Sequence, residues 1–218
     1  MNVTPPKTEG ELLERARALA GVPIDELAAR AAMSIDADTV HAKGKIGELL
    51  ERALGATGSG AEMDFPGLAI EMKTVPIQNG KPAESTFVCA LQLMNLDRAE
   101  WKTSWVRRKL SRVLWVPILR PASADGVRAR VGEAKIWSPS EREERELRAD
   151  FEEIVGRIAI GDIEDLSARV GTHLQLRPKA ATGSVRTAAP ARDGEIVSTV
   201  PRGFYLRANF VEAVLSSC

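Results

Sequence analysis

Apolar and polar positions along this chain change period twice. Through the first 55 residues they repeat at helical spacing. Leu12, Leu13, Ala16, Leu19 and Ala20 form one stripe, opened by a Thr8/Glu11 capping signature and stopped at Gly21. A second short helix is predicted from Pro23 to Met33. A third runs from about Lys45 to Leu54, with Ile46, Leu49, Leu50, Ala53 and Leu54 on its buried side and Gly55 at its end. A glycine-rich loop, Gly55 to Gly60, follows.

From Asp64 to Leu93 the pattern becomes that of strands. Leu68 to Val75 and Ser85 to Leu93 read as two strands joined by a turn around Asn79-Gly80. Trp101 to Leu110 reads as a short helix with Ser104 near its start, and Arg112 to Leu119 as a further strand. Ser138-Pro139-Ser140-Glu141 opens a strong helix by a serine cap, a proline in the first turn and a glutamate three residues on. Leu147, Phe151, Ile154, Val155 and Ile158 are its apolar stripe, and its sign-alternating charges from Glu141 to Glu153 read as a solvated face with internal ion pairs. Asp162 to Val170 is predicted as another helix, His173 to Arg177 and Gly203 to Leu206 as strands, and Ala208 to Leu215 as a closing helix. Lys179 to Glu195 lacks periodicity and reads as a mobile loop. Helices, then strands, then helices again argue for a mixed α+β (α/β) domain rather than a repeat array.

Composition changes this picture little. The chain is 44% hydrophobic and 28% charged, ordinary values for a globular protein, and its formal net charge is zero. A nucleic-acid partner is therefore not announced by overall charge and would need local clusters of cations. Two cysteines, Cys89 and Cys218, make neither a disulfide framework nor a zinc site and fit a reducing, cytoplasmic setting. The N-terminus carries no apolar signal core. The apolar run Val113 to Leu119 is interrupted by Pro117 and too short to span a membrane.

Candidate chemistry gathers at Asp64-Phe-Pro-Gly-Leu-Ala-Ile-Glu71-Met-Lys73. In an extended Glu71–Lys73 segment the Glu71 and Lys73 side chains share one face, while Ile70 and Met72 take the other. The Pro66-Gly67 break lets the chain fold back and bring the Asp64 carboxylate near Glu71. Two hard oxygen ligands and an ammonium suit Mg²⁺-dependent phosphodiester hydrolysis: the carboxylates hold the metal, and the lysine orients water or stabilises charge on the phosphate. The same spacing also occurs in ordinary solvated strand edges. Glu51 is either a further carboxylate of this site or a solvated helix charge. Arg107-Arg108-Lys109-Leu-Ser-Arg112 is either a phosphate-contacting cluster or an exposed helix end. Arg177 and Lys179 form a second basic region, where a strand-to-loop arginine suits bidentate reading of guanine. Tyr205, the one tyrosine of the chain, either packs against a base or fills a core. His41 and His173 have no ligand-like spacing, and no Gly-rich phosphate loop is present.

The chain resembles the MutH family of DNA mismatch repair endonucleases. Beyond the Asp-x₆-Glu-x-Lys element, the resemblance rests on Lys45 to Glu51, Thr86 to Cys89, Val106 to Pro117, Ile136 to Pro139, Leu174 to Ala180 and Val200 to Tyr205, which stand in family order along nearly the whole chain. Residues 94 to 100, 120 to 133 and the loop from Ala181 to Glu195 diverge.

The resemblance implies a restriction-endonuclease-like fold: a central mixed sheet flanked by helices, with two lobes around a DNA cleft. A catalytic lobe is expected over roughly residues 20–135, and a recognition lobe over roughly 136–218 together with the N-terminal helix. It assigns Asp64, Glu71 and Lys73 to catalysis, with Asp64 and Glu71 on Mg²⁺ and with Glu51 and Lys109 as further members of the site. Arg177, Lys179 and Tyr205 are implied to read DNA, Tyr205 sensing the adenine methyl group, and Lys43 and Phe87 fall in DNA-contacting blocks. The implied activity is nicking of the unmethylated strand 5′ to G of hemimethylated GATC. The protein is expected to act as a monomer on double-stranded DNA, activated by MutL with MutS upstream. A stand-alone GATC restriction endonuclease and a non-catalytic DNA-binding module on the same fold are the alternatives.

Overall fold

The structure, a computed structural model, describes residues 3–35, 42–59, 62–94, 96–121, 128–163, 166, 169–179 and 184–217, with the side chains of residues 42, 43 and 97 excepted. The helices are α1 (Glu9–Ala18), α2 (Ile24–Arg30), α3 (Ala42–Leu54), α4 (Trp105–Leu110), α5 (Glu141–Ala159) and α6 (Ala208–Ser216). The strands are β1 (Glu71–Gln78), β2 (Lys81–Pro82), β3 (Thr86–Leu91), β4 (Val113–Leu119) and β5 (Arg130–Val131), then β6 (Lys135–Trp137), β7 (Leu174–Pro178), β8 (Thr187–Pro190), β9 (Ile196–Thr199) and β10 (Arg202–Leu206). Two compact units result. One comprises Met1–Glu84, Arg112–Ser138 and Val214–Cys218, the other Ser85–Ser111 and Pro139–Ala213. These units do not follow the chain order of the expected lobes, since α1 lies in the first and Ser85–Ser111 in the second.

The first unit is built on a mixed sheet of order β2-β1-β4-β5, with β6 also on β4. Its centre is the parallel pair β1/β4, in register from Glu71↔Val113 to Ile77↔Leu119. Alternation along these strands sends Ile70, Met72, Leu114, Val116 and Ile118 into one core with Leu12, Leu27, Leu49, Leu50 and Leu54 of α1–α3. Glu71, Lys73, Val113 and Trp115 take the opposite face, where Trp115 meets Trp137 edge-on at 6.2 Å. The Asn79-Gly80 turn is present, both residues having positive φ. It joins β1 to β2, however, pairing Gln78 with Lys81, and not to the Ser85–Leu93 run. A two-residue turn of this hand commits the chain to immediate hairpin pairing. The Ser85–Leu93 run supplies β3, which belongs to the second unit.

The second unit holds the antiparallel sheet β3-β10-β7 and the hairpin β8-β9. Its long helix α5 lays Leu147, Phe151, Ile154, Val155 and Ile158 on the core, with Phe151 against Phe204 of β10 at 5.6 Å. The cap of α5 is Ser140, not Ser138. Its Oγ accepts from the Glu143 amide, and the Glu143 carboxylate accepts from the Ser140 amide at 2.7 Å. The solvated face carries the expected i,i+4 pairs Arg142–Glu146, Arg148–Glu152 and Arg157–Glu153. The helix expected over Asp162–Val170 falls in part on residues outside the described ones. One expectation fails here. The aperiodic segment Lys179–Glu195 contains strand β8, paired with β9 from Thr187↔Thr199 to Pro190↔Ile196. Short Ala- and Thr-rich strands carry too little hydrophobic contrast for alternation to be seen.

Candidate functional site

Strand β1 begins only at Glu71, three residues later than the apolar pattern suggests, because residues 66–69 make a reversal first. Pro66–Leu68 is a single 3-10 turn, and Ala69 closes it in the left-handed region at φ 53°, ψ 40°. Phe65 and Ile70 then face each other across two backbone hydrogen bonds, Phe65 N–H to Ile70 O at 2.9 Å and Ile70 N–H to Phe65 O at 3.3 Å. The fold-back read from Pro66-Gly67 is therefore real. It carries the Asp64 carboxylate onto the amide of Met72, which donates to Oδ2 at 2.7 Å. The backbone oxygen of Asp64 accepts from the amides of Thr57 and Gly58 at 3.1 and 3.0 Å. A side chain at Gly58 would strike the Met63 carbonyl oxygen, so only glycine permits this strap.

Glu71 and Lys73 share a strand face, as period-2 alternation requires. The Lys73 ammonium donates to Glu71 Oε1 at 2.6 Å, with side-chain exposures of 12% and 3%. A carboxylate this far from solvent is held by its pairing, since burying a lone charge is costly. Glu51, near the end of α3, belongs to the same cluster. Burial pushes its carboxyl above the ordinary range, and the negative charges of Asp64 and Glu71 push it further, with Lys73 opposing them. Glu51 therefore lies half-buried within electrostatic reach of Asp64, Glu71 and Lys73.

The cluster thus brings three carboxylates against one lysine, a surplus of negative charge that fits a divalent cation. Among the described residues no group of three or more His, Cys, Asp or Glu side chains is arranged to hold a metal ion by itself. The donor set suits Mg²⁺ on those terms, because that ion commonly takes one or two carboxylates and completes its shell with water and substrate phosphate.

The second unit gathers four of the residues assigned to DNA. Across β10, Tyr205 faces Phe87 of β3, and Gly203 faces Arg177 of β7. A register shift in the β3 pairing between Phe204 and Tyr205 turns Phe87 to the Tyr205 side. The rings of Phe87 and Tyr205 meet edge-on at 5.2 Å, the Arg177 guanidinium lies over Tyr205 at 5.6 Å, and the Lys179 ammonium lies over Phe87 at 3.1 Å. Arg177 also donates to Ser85 Oγ at 2.5 Å. Gly203 makes room for this group, as a Cβ there would stand 2.8 Å from the Phe87 ring. The other face of the strand, with Phe204, Leu174 and Leu176, is core.

Lys109 lies in this second unit on α4, which Ser104 caps by accepting from the Arg107 amide. Its stem is buried and its ammonium lies 5.3 Å from the centre of the Trp105 ring, which Arg108 also covers at 5.0 Å. The Lys43 side chain, His41 and Cys218 lie outside the described residues. Asp150 escaped sequence reasoning. Buried on α5, it accepts from the amides of Thr172, His173 and Leu174 at 2.7, 2.7 and 2.8 Å and so pins the start of β7. The signal was present: Asp150 sits within the Leu147–Phe151–Ile154 stripe, where a lone acid needs partners.

A mixed sheet flanked by helices, with carboxylates and a lysine at the head of a strand, is the architecture of the restriction-endonuclease-like fold class. A family model described as DNA mismatch repair enzyme MutH matches residues 54–150. Proteins described as DNA mismatch repair protein MutH from Salmonella paratyphi B, Salmonella newport and Salmonella heidelberg are each 47% identical over 216 residues, covering 98% of this chain and 94% of the relative. The chain belongs to the MutH family and is a DNA endonuclease of mismatch repair. No helix among the described residues is long and apolar enough to cross a membrane.

Proposed function

We propose that this protein nicks the unmethylated strand of hemimethylated double-stranded DNA 5′ to G of GATC, using Mg²⁺ held by Asp64 and Glu71, and that it is switched on by MutL with MutS upstream. The observation that carries the chemistry is the buried Lys73–Glu71 pair beside Asp64, whose carboxylate is fixed on the Met72 amide. Bound Mg²⁺ supplies Lewis acidity at the phosphate and makes a bound water more acidic. The Lys73 ammonium orients the attacking water and offsets charge that grows on the phosphate oxygens. Glu51 adds a third carboxylate, which keeps the cluster electronegative and receptive to a cation. The family resemblance gives Lys109 the task of stabilising charge on the phosphate. One such cluster stands among the described residues, and a single cutting centre per monomer cuts one strand per visit, as a nickase requires.

Recognition is assigned to the β3-β10-β7 face. Arg177 presents a planar fork suited to guanine O6 and N7. Lys179 adds charge towards the backbone, and Tyr205 with Phe87 forms an aromatic wall against which an adenine with or without its methyl group is distinguished. Lys43 is placed in a further DNA-contacting segment by resemblance. A cytoplasmic setting is part of this reading.

The test is nicking of unmethylated, hemimethylated and fully methylated GATC plasmids with Mg²⁺, with and without MutL. Nicks 5′ to G that stop with full methylation and accelerate with MutL are expected. Robust double-strand cleavage without MutL would mark a stand-alone restriction enzyme instead. E71Q and K73A should lower nicking by about 10²–10³-fold while the chain stays folded. Undiminished nicking by either variant would remove the assigned chemistry.

A further inference from the structure

We infer that the left-handed turn at Ala69 is the positioning device that sets Asp64 against Glu71, and that affinity for the divalent cation depends on the backbone conformation at this one residue. The inference rests on the reading of Asp64 and Glu71 as metal ligands. Ala69 occupies φ 53°, ψ 40°, a region that costs an L-residue with a Cβ and that glycine and asparagine enter most readily. Gly67, two residues earlier, is not among the positive-φ glycines. The glycine of this loop therefore is not the residue that turns it.

The consequences of the turn are local and directional. It reverses the chain so that Phe65 and Ile70, both buried, exchange two backbone hydrogen bonds, and these bonds bracket the reversal. Asp64 immediately precedes this clamp and Glu71 immediately follows it. With the clamp closed, Asp64 Oδ2 reaches the Met72 amide on the strand that carries Glu71 and Lys73. If residue 69 moved to negative φ, the Phe65–Ile70 pair would open and the two carboxylates would lose their common frame. The Ala69 side chain itself is exposed, so replacing it leaves core packing alone and acts through the backbone. A non-Gly residue held at positive φ next to reacting groups is where strain accompanies function. The fraction of molecules with the clamp closed then scales the apparent metal affinity.

The experiment is a calorimetric titration of the folded protein with Mn²⁺ across A69G, A69N, A69L and A69V, with G67V as control. Nicking is measured in parallel as a function of metal concentration. A69G and A69N should bind like the parent. A69L should bind several-fold more weakly and A69V about tenfold more weakly, following their reluctance to enter the left-handed region. The metal concentration for half-maximal nicking should rise in the same order, with the rate recovering at saturating metal. G67V makes the same kind of exposed substitution at ordinary φ and should leave the titration unchanged. Asn and Leu are close in size, so the A69N/A69L pair separates conformation from bulk even if A69V fails to fold. Parent-like binding by A69L, or weakened binding by A69G, overturns the inference while leaving the metal-site reading standing. Absence of any Mn²⁺ binding by the parent overturns both.

Discussion

Phe87 of β3 and Tyr205 of β10 stand edge-on, ring centroids 5.2 Å apart at 63°, across the one position where the two strands slip register. The slip has a purpose in the packing. Had β3 kept regular pairing through Val88, Phe87 would fall on the core side with Cys89, and Lys179 would lose the ring it covers.

Gly203 keeps that arrangement open. In G203A the new Cβ would meet the Phe87 ring at 2.8 Å and the Cys89 carbonyl at 2.9 Å, the second of which is backbone and cannot swing away. Urea unfolding should show G203A destabilised by about 1–3 kcal/mol, as for other overpacked sites. Affinity for a GATC duplex, read by anisotropy, should fall with it. An unchanged midpoint would show that the strands part easily here.

Arg177 is expected to carry selectivity rather than general affinity. R177A should lose about 1–3 kcal/mol of discrimination between GATC and a site with G replaced, and R177K should recover little because an ammonium cannot make the forked contact. K179A should instead weaken binding to all duplexes and reduce the salt dependence of binding by about one charge. Equal effects of the two on matched and mismatched sites would refute this division.

Glu51 makes stability depend on pH in a stated direction. Its carboxyl is raised above the ordinary 4.5, first by burial and then by Asp64 and Glu71, so the folded state disfavours its ionisation. The stability it contributes is complete below that ordinary value and is lost as pH rises through the raised folded value. E51Q cannot ionise. In buffer without divalent metal it should match the parent at low pH and become the more stable protein near pH 8, while nicking more slowly. If E51Q is the less stable protein at alkaline pH, the carboxylate cluster is not repulsive.

Asp150 should matter more than its place on a charged helix suggests. D150N retains shape but can no longer accept from the Thr172, His173 and Leu174 amides together. A loss of about 3 kcal/mol in unfolding free energy is expected, given the strength of hydrogen bonds to a charged acceptor. Amide exchange should accelerate at the start of β7. A loss confined to DNA binding, with stability and exchange untouched, would count against the pinning role.

Much of the secondary structure was legible because it depends on neighbours in sequence. The stripe of α5, the Ser104 cap of α4 and the apolar run of β4 are all local patterns, and the structure keeps them. The errors have local causes too. Two serines two residues apart, Ser138 and Ser140, offered alternative caps, and the Glu143 carboxylate decided for Ser140 by reaching back to its amide. The Asn79-Gly80 turn is a local signal, but its hairpin partner is not: the two-residue β2 has no periodicity of its own, whereas β3 does. Of the site, the shared face of Glu71 and Lys73 and the fold-back at Pro66 were readable from spacing. The residue that turns the fold-back was not, because Ala69 is the wrong residue type for a left-handed position and Gly67 the expected one.

By itself, then, the chain's order of residues determined what period-2 and period-3.6 repetition can determine: the helices and strands with a strong apolar pattern, and that an acid and a lysine share one face at the head of β1. Tertiary structure alone decided the rest. It buried Glu71 and set Glu51 within electrostatic reach of it, and it joined Phe87 to Tyr205, Arg177 and Lys179 across strands far apart in the chain. Desolvation and cross-strand register arise only when distant segments pack, so no local pattern encodes them.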